Sequence, residues 1–320
     1  MLLHILVRGD FLSIVRTDVP MTSELCEQTI RKLAETYPFL ETEVLTTTAF
    51  GRPVYAIKIG NGDRHVLFTA AHHANEWITA PLLLKFAEEL CQAFQEQGTI
   101  YGVPAKTIVQ YSTVHLVPLV DPDGVDLVTG AIRPQTPEYN TARQIAGDFP
   151  DIPFPDGWKA NLLGIDLNLQ YPAGWLMARE IKFSQGFDRP APRDYVGRAP
   201  LNQKETRALA AYTEEVDPEL VLAFHTQGKA IYWQFRDYPV PGARALGEEF
   251  ARASGYSLED TPYESSFAGY KDWFIQNWRR PGFTIEAGIG TNPLPISQFD
   301  EIYKDVLGIL VTAATGLPEK

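Results

Sequence analysis

Residues 69–81, TAAHHANEWITAP, set two histidines side by side with a glutamate three positions after the second, in a chain with six histidines. A histidine and a carboxylate three apart can be aimed at one ion by a single turn of chain. His72 and Glu76, four apart, serve equally well if the segment is α-helical. Spacing alone leaves both histidines open. Two further segments, LVLAFHTQ and GFTIEAG, each place a polar residue, His225 or Glu286, directly after an apolar strand. Ligand sites in open α/β sheets collect at the carboxyl ends of strands, so His73, Glu76, His225 and Glu286 are expected to converge. Two histidines and a carboxylate suit a zinc ion with an open fourth position, and a remaining glutamate can act as general base. Each residue also has a plain reading. H-x-x-E arises by chance, a strand-end histidine is often only hydrogen-bonded, and Glu286 could cap a neighbouring helix.

These groups need elements to hold them. After Pro20, TSELCEQTIRKLAETYP has a Thr/Ser cap and apolar Leu25, Ile30, Leu33 and Tyr37 at helical spacing. LETEVLTTT, VYAIKIG and HVLFTAA follow as strands, with GNGD between the last two expected as a hairpin turn. A helix over 78–97 tolerates Pro81 in its first turn, and STVHLVPLV is another buried strand. From Asp121 to Pro200 the periodicity weakens, and ten of the 24 prolines lie there. A loop-rich stretch of that length usually builds the wall or lid of a site. Regular patterns resume with the helix NQKETRALAAYTEEV, in which Asn202 and Glu205 have capping-box spacing. The strands LVLAFHT and KAIYWQF, the helix GARALGEEFARASG, the strand GFTIEAG and a last helix from about Ser297 complete the chain. Strands alternating with helices predict an α/β sandwich, and no linker divides it.

The bulk properties exclude some functions. With 28 basic and 40 acidic residues the formal charge is −12, which argues against generic binding to nucleic acid or anionic membranes. Cys26 and Cys91 are too far apart in sequence to form a zinc-ribbon spacing or a disulfide framework, and Cys91 reads as a small buried hydrophobe. The N-terminal apolar run is broken by Arg8 and Asp10, and VLGILVTAATGL is too short to cross a bilayer. The expectation is a soluble protein made without a standard export signal, with no obligate protein partner.

The same segments resemble the zinc carboxypeptidase family from about Met21 to the end. HHANEW is similar to that family's H-A-R-E-W, VDPDGVD to its N-P-D-G turn, and GWKANLLGIDLNLQYPAGW to its W-R-K-N…G-V-D-x-N-R-N segment. YVGRAPLNQKET resembles Y-x-G-x-x-P-x-S-E-x-E-T, and FHTQ supplies a histidine. DWFIQNWRRPGFTIEAG aligns with the D-W…F-T-x-E stretch, Asp272 preceding Glu286 by fourteen residues. The resemblance implies one α/β domain over 21–320 with a central mixed, mostly parallel twisted sheet flanked by helices. It implies one zinc ion per chain held by His73, Glu76 and His225, with Glu286 taking the proton of a water and passing it to the leaving amine. Lys159 stands where the family has an arginine that steadies the oxyanion, and keeps the charge without the bidentate fork. Tyr263 is the candidate for the phenol the family brings over its substrate.

The departures concern the substrate. Leu169 replaces the arginine of N-R-N that clamps a free C-terminal carboxylate, and leucine cannot bind one. Asn168 survives as a contact for a substrate terminus, and Asn75 replaces the arginine of H-A-R-E. Lys271 falls at the base of the specificity pocket, where a cation would favour an acidic substrate group; the alternative is a solvated helix residue. Lys229, Arg279 and Arg280 are further candidates for carboxylate partners. These traits resemble the branch of γ-D-glutamyl-L-diamino acid endopeptidases, which cut murein stem peptides before meso-diaminopimelate or lysine. The rival readings are an ordinary metallocarboxypeptidase or amide deacylase on the same site, and a non-catalytic muropeptide-binding relative. HILVRGDFLSIV resembles the opening of a wall-binding LysM unit, so residues 1–20 read as an extension carrying a LysM remnant. The expected location is the cytoplasm, on recycled muropeptides or during sporulation, with release at lysis.

Overall fold

The computed structural model describes residues 13–316 of the 320. The LysM-like stretch falls mostly outside the described residues. The first half of the chain forms α1 (Ser23–Thr36), β1 (Glu41–Thr47), β2 (Pro53–Ile59), β3 (Arg64–Ala70), α2 (Thr79–Gln95), the short strands β4 (Thr99–Ile100) and β5 (Val103–Pro104), α3 (Ala105–Tyr111) and β6 (Ser112–Val117). Next come α4 (Pro122–Val128), α5 (Pro137–Ala146), α6 (Trp175–Ser184), α7 (Lys204–Val216), β7 (Leu220–His225) and β8 (Ala230–Tyr232). The chain finishes with α8 (Ala243–Ser254), β9 (Ser257–Glu259), α9 (Tyr270–Trp278), β10 (Gly282–Glu286) and α10 (Phe299–Thr315).

Eight strands make one sheet in the order β1-β2-β6-β3-β7-β10-β8-β9. The four central strands β6, β3, β7 and β10 are mutually parallel. Antiparallel pairs join β1 to β2, β2 to β6 and β8 to β10, while β9 runs parallel to β8. Successive residues of β3 turn to opposite faces, as a strand requires. Val66 and Phe68 join the cluster holding Leu83 of α2, Phe250 of α8 and Ile309 of α10. Leu67 joins Leu209 of α7 with Trp273 and Phe274 of α9. Both faces are covered, so the central strands read as continuous apolar runs.

Three expectations are corrected. β2 and β3 do not form a hairpin, because β6 lies between them, antiparallel to one and parallel to the other. The GNGD segment instead skirts the start of β6, where a Cβ on Gly62 would run into the backbone of Tyr111. The Asp121–Pro200 stretch contains α4, α5 and α6. The capping box is absent: Gln203 occupies the N-cap of α7 with no side-chain cap bond. Asn202 Oδ1 accepts from Gln203 Nε2 at 2.9 Å, and Glu205 is buried beneath the helix start instead of returning to the cap. The cap expected for α1 does form, Thr22 Oγ1 accepting from Leu25 N at 3.1 Å.

Candidate active site

Three parallel strands deliver the site. β3 ends at Ala70, and Ala71 then adopts a left-handed conformation at φ 50° that turns the chain. A short 3-10 turn, Ala74–Glu76, follows with His73 as its extended N-cap. An i to i+3 backbone bond, Glu76 N to His73 O at 3.1 Å, brings these two side chains to one side. His72 points away: its Nε2 meets Tyr171 Oη at 3.2 Å, and burial keeps the ring neutral by holding its pKa well below the usual value. The three-residue period thus selects His73. β7 ends at His225, which lies in parallel register beside Glu286 at the end of β10.

His73, Glu76 and His225 are buried, and one ligand atom from each lies within 4.8 Å of the others. His73 Nδ1 is 3.0 Å from Glu76 Oε1, His225 Nδ1 is 2.8 Å from Glu76 Oε2, and the two Nδ1 atoms are 3.2 Å apart. Burial opposes charge on both rings, yet the carboxylates of Glu76 and Asp166 lift His73 to about 9. His225, more dominated by burial, is lowered. The charge of His73 is among the causes that lower His225, two adjacent imidazoliums being disfavoured. That donor set, imidazole nitrogens plus a carboxylate, fits zinc. Asp166 Oδ1 accepts a hydrogen bond from His73 Nε2 at 3.1 Å; with a metal bound, that bond would leave the Nδ1 lone pair free to face the ion.

The neighbours bear on acid–base chemistry. Burial raises the carboxyl of Glu286, and the negative charge of Glu76 adds to it. Lys159 Nζ is 2.9 Å from Glu76 Oε1; burial works against its charge, but Glu76 raises its pKa. The backbone oxygen of Lys159 also accepts from Ala74 N at 3.1 Å, which docks its segment onto the 3-10 turn. A cavity of about 1010 Å³ opens over this centre.

The other expected residues divide. Asn168 lines the cavity, its Oδ1 accepting from Tyr270 N at 3.1 Å. Leu169 is also in the wall and packs with Val196 and Phe267. Lys271 lines the cavity but is not solvated: it is 4% exposed, with Nζ 2.5 Å from Asp272 Oδ1 and 2.7 Å from Gln234 O. Tyr263 is not brought to the centre. It is 64% exposed, stacks edge-on against Phe267, and sits in a separate small depression beyond the cavity rim. Lys229, Arg279 and Arg280 do not line the cavity either. Lys229 pairs with Glu301 and Asp305, Arg280 with Asp217, and Arg279 covers the ring of Tyr238.

Residues not singled out in the sequence complete the wall. Asp166 binds His73 and also accepts from Asn168 N and Asp194 N. Asp194 joins Lys182 and Arg193, each at 2.6 Å. Asp166 sits in the quoted GIDLNLQ segment and could have been read there. Arg193 and Asp194 lie in APRDYVG, where only the folded chain shows what they face.

The profile described as zinc carboxypeptidase matches residues 26–307, and the chain belongs to that family. Among curated proteins it is similar to the gamma-D-glutamyl-L-diamino acid endopeptidase 1 of Lysinibacillus sphaericus, 45% identical over 88% of this chain and 69% of that protein. Its fold is similar to that of bovine thrombin-activatable fibrinolysis inhibitor (TM-score 0.72, 15% identity, 93% of this chain and 97% of that one). It is also similar to that of the murein-tripeptide amidase MpaA from Escherichia coli O157 (TM-score 0.56, 19% identity, 87% and 93%).

Proposed function

We propose that the protein is a zinc peptidase that hydrolyses the γ-D-glutamyl–diamino acid bond of murein stem peptides. The observation that carries the substrate class is Leu169. An apolar side chain packed against Val196 and Phe267 stands in the cavity wall where resemblance to the family expects the arginine for a free C-terminal carboxylate. The relative from Lysinibacillus sphaericus, named for cleaving this bond, supports the reading.

In this reading His73, Glu76 and His225 hold one zinc ion, which supplies Lewis acidity and makes water a nucleophile near neutral pH. Glu286, beside His225 and held above the ordinary carboxylate range, accepts a proton from water and delivers it to the departing amine. Lys159 offers a point cation to the developing oxyanion. Asn168 contacts the substrate from the cavity wall, where Lys271 stays paired with Asp272, and Tyr263 would have to approach from the rim.

Competition between two substrates tests the reading. The zinc-loaded protein should prefer L-Ala-γ-D-Glu-meso-diaminopimelate over a blocked dipeptide with a free C-terminus by at least about 100-fold in kcat/KM, the scale of a lost charged anchor. Leu169→Arg should narrow that gap. The opposite preference in the unmodified protein would return it to the ordinary carboxypeptidases.

A further inference from the structure

Four cationic side chains line the cavity: Lys159, Lys182, Arg193 and Lys271. Three have their charged atom engaged by a carboxylate: Lys159 by Glu76 at 2.9 Å, Lys182 by Asp194 at 2.6 Å and Lys271 by Asp272 at 2.5 Å. Arg193 differs. Only its Nε is used, bonded to Asp194 Oδ2 at 2.6 Å, and among the described residues its two terminal nitrogens make no hydrogen bond. A guanidinium with both Nη groups open is a preformed receptor for a carboxylate.

Its mounting is rigid and tied to the metal-binding trio. Asp194 is left-handed at φ 66°; its amide bonds Asp166 at 3.2 Å, and Asp166 holds His73. Two cations hold the Asp194 side chain. The preceding Pro192 oxygen accepts from Lys159 N at 2.7 Å and Ala160 N at 2.9 Å. Arg193 therefore belongs to the Lys159 side of the centre, and Glu76 and Asp166 act on its charge. Lys271, by contrast, lies on α9 beside Asp272.

A γ-linked glutamate differs from an ordinary acyl residue in one respect: its α-carboxylate remains free on the acyl side of the scissile bond. We infer that Arg193 binds that acyl-side carboxylate and so selects γ-glutamyl over α-peptide bonds. The inference rests on the murein reading and adds the group that would enforce it. Asp194 is a positioning residue: it leaves the arginine fork free while fixing its base.

The test compares L-Ala-γ-D-Glu-meso-diaminopimelate with the analogue whose glutamyl α-carboxylate is an amide, for the zinc-loaded protein, Arg193→Gln and Arg193→Lys. The readout is the acid-to-amide ratio of kcat/KM within one preparation, which does not depend on the fraction folded. The unmodified protein should favour the acid by roughly tenfold or more. Arg193→Gln should cut that ratio roughly 10- to 100-fold, chiefly through KM of the acid, and Arg193→Lys should recover part of it. Cleavage of both peptides with an unchanged ratio in Arg193→Gln would overturn the arginine assignment and leave the murein reading standing. If the unmodified protein cut neither peptide yet trimmed a simple C-terminal peptide, the murein reading would fall and this assignment with it.

Discussion

His73 is held by two carboxylates at once, Glu76 on Nδ1 and Asp166 on Nε2. The second contact fixes the tautomer and the first gathers the ligand group, so the proposed metal-binding role needs both. Glu286 stands apart from this group, in register with His225, so the proposed base can be altered without removing a donor. Glu286→Gln should lower kcat roughly 10²- to 10⁴-fold while the protein still takes up about one zinc per chain. Near-normal turnover, or a protein that no longer binds metal, would contradict the division of labour. At this scale the sequence was most readable where polar residues end or closely follow an apolar strand: His73, Glu76 and His225 meet, and Glu286 lies in register beside His225. It was least readable where meaning comes from pairing across the fold. Lys271 looked like a free cation, and Asp272 and the Gln234 carbonyl occupy it. Nothing in the sequence distinguishes Arg193, whose Nε alone is engaged among the described residues.

The short helix α4 shows how elements hold these side chains. Asp121 caps it, Oδ1 accepting from Gly124 N at 2.9 Å, and its first turn packs against the 3-10 turn that carries Glu76. Gly124 lies at the contact. A Cβ there would be 2.5 Å from Ala160 O and 2.8 Å from Ala74 Cβ, the neighbours of Lys159 and His73. Gly124→Ala should therefore cost about 1–3 kcal/mol of stability and weaken zinc binding, read by thermal unfolding and by competition with a chelator. A variant as stable and as tightly loaded as the parent would show that this packing does not position the site. Periodicity located most of the sheet and its covering helices because both faces are buried. It failed over Asp121–Pro200 because α4, α5 and α6 are short and start near prolines or glycines, and α4 and α5 pack into a small cluster around Leu127, Ala142 and Ala146. It failed at GNGD because a turn signal does not reveal that a later strand will insert beside β2.

Across the whole molecule the site lies at the carboxyl ends of β3, β7 and β10, and among the described residues no helix is long and apolar enough to cross a membrane. Buried acids beneath the site make stability depend on pH. Burial pushes the Glu205 carboxyl up to about 7, and the charge of Asp123 adds to it. The fold thus favours the protonated form. Its contribution is full below the ordinary glutamate pKa of about 4.3 and is lost as pH rises through about 7. Roughly 4 kcal/mol is at stake at 1.36 kcal/mol for each unit by which the pKa is raised. The urea midpoint should fall between about pH 5 and 8, and Glu205→Gln should flatten that decline; an equal slope in the variant would exclude Glu205 as its source. The central claim is more direct to test. L-Ala-γ-D-Glu-meso-diaminopimelate incubated with the zinc-loaded protein should yield L-Ala-D-Glu and free diaminopimelate by mass spectrometry, with no other fragment. An intact tripeptide, or cleavage at the L-Ala–D-Glu bond instead, would contradict the account.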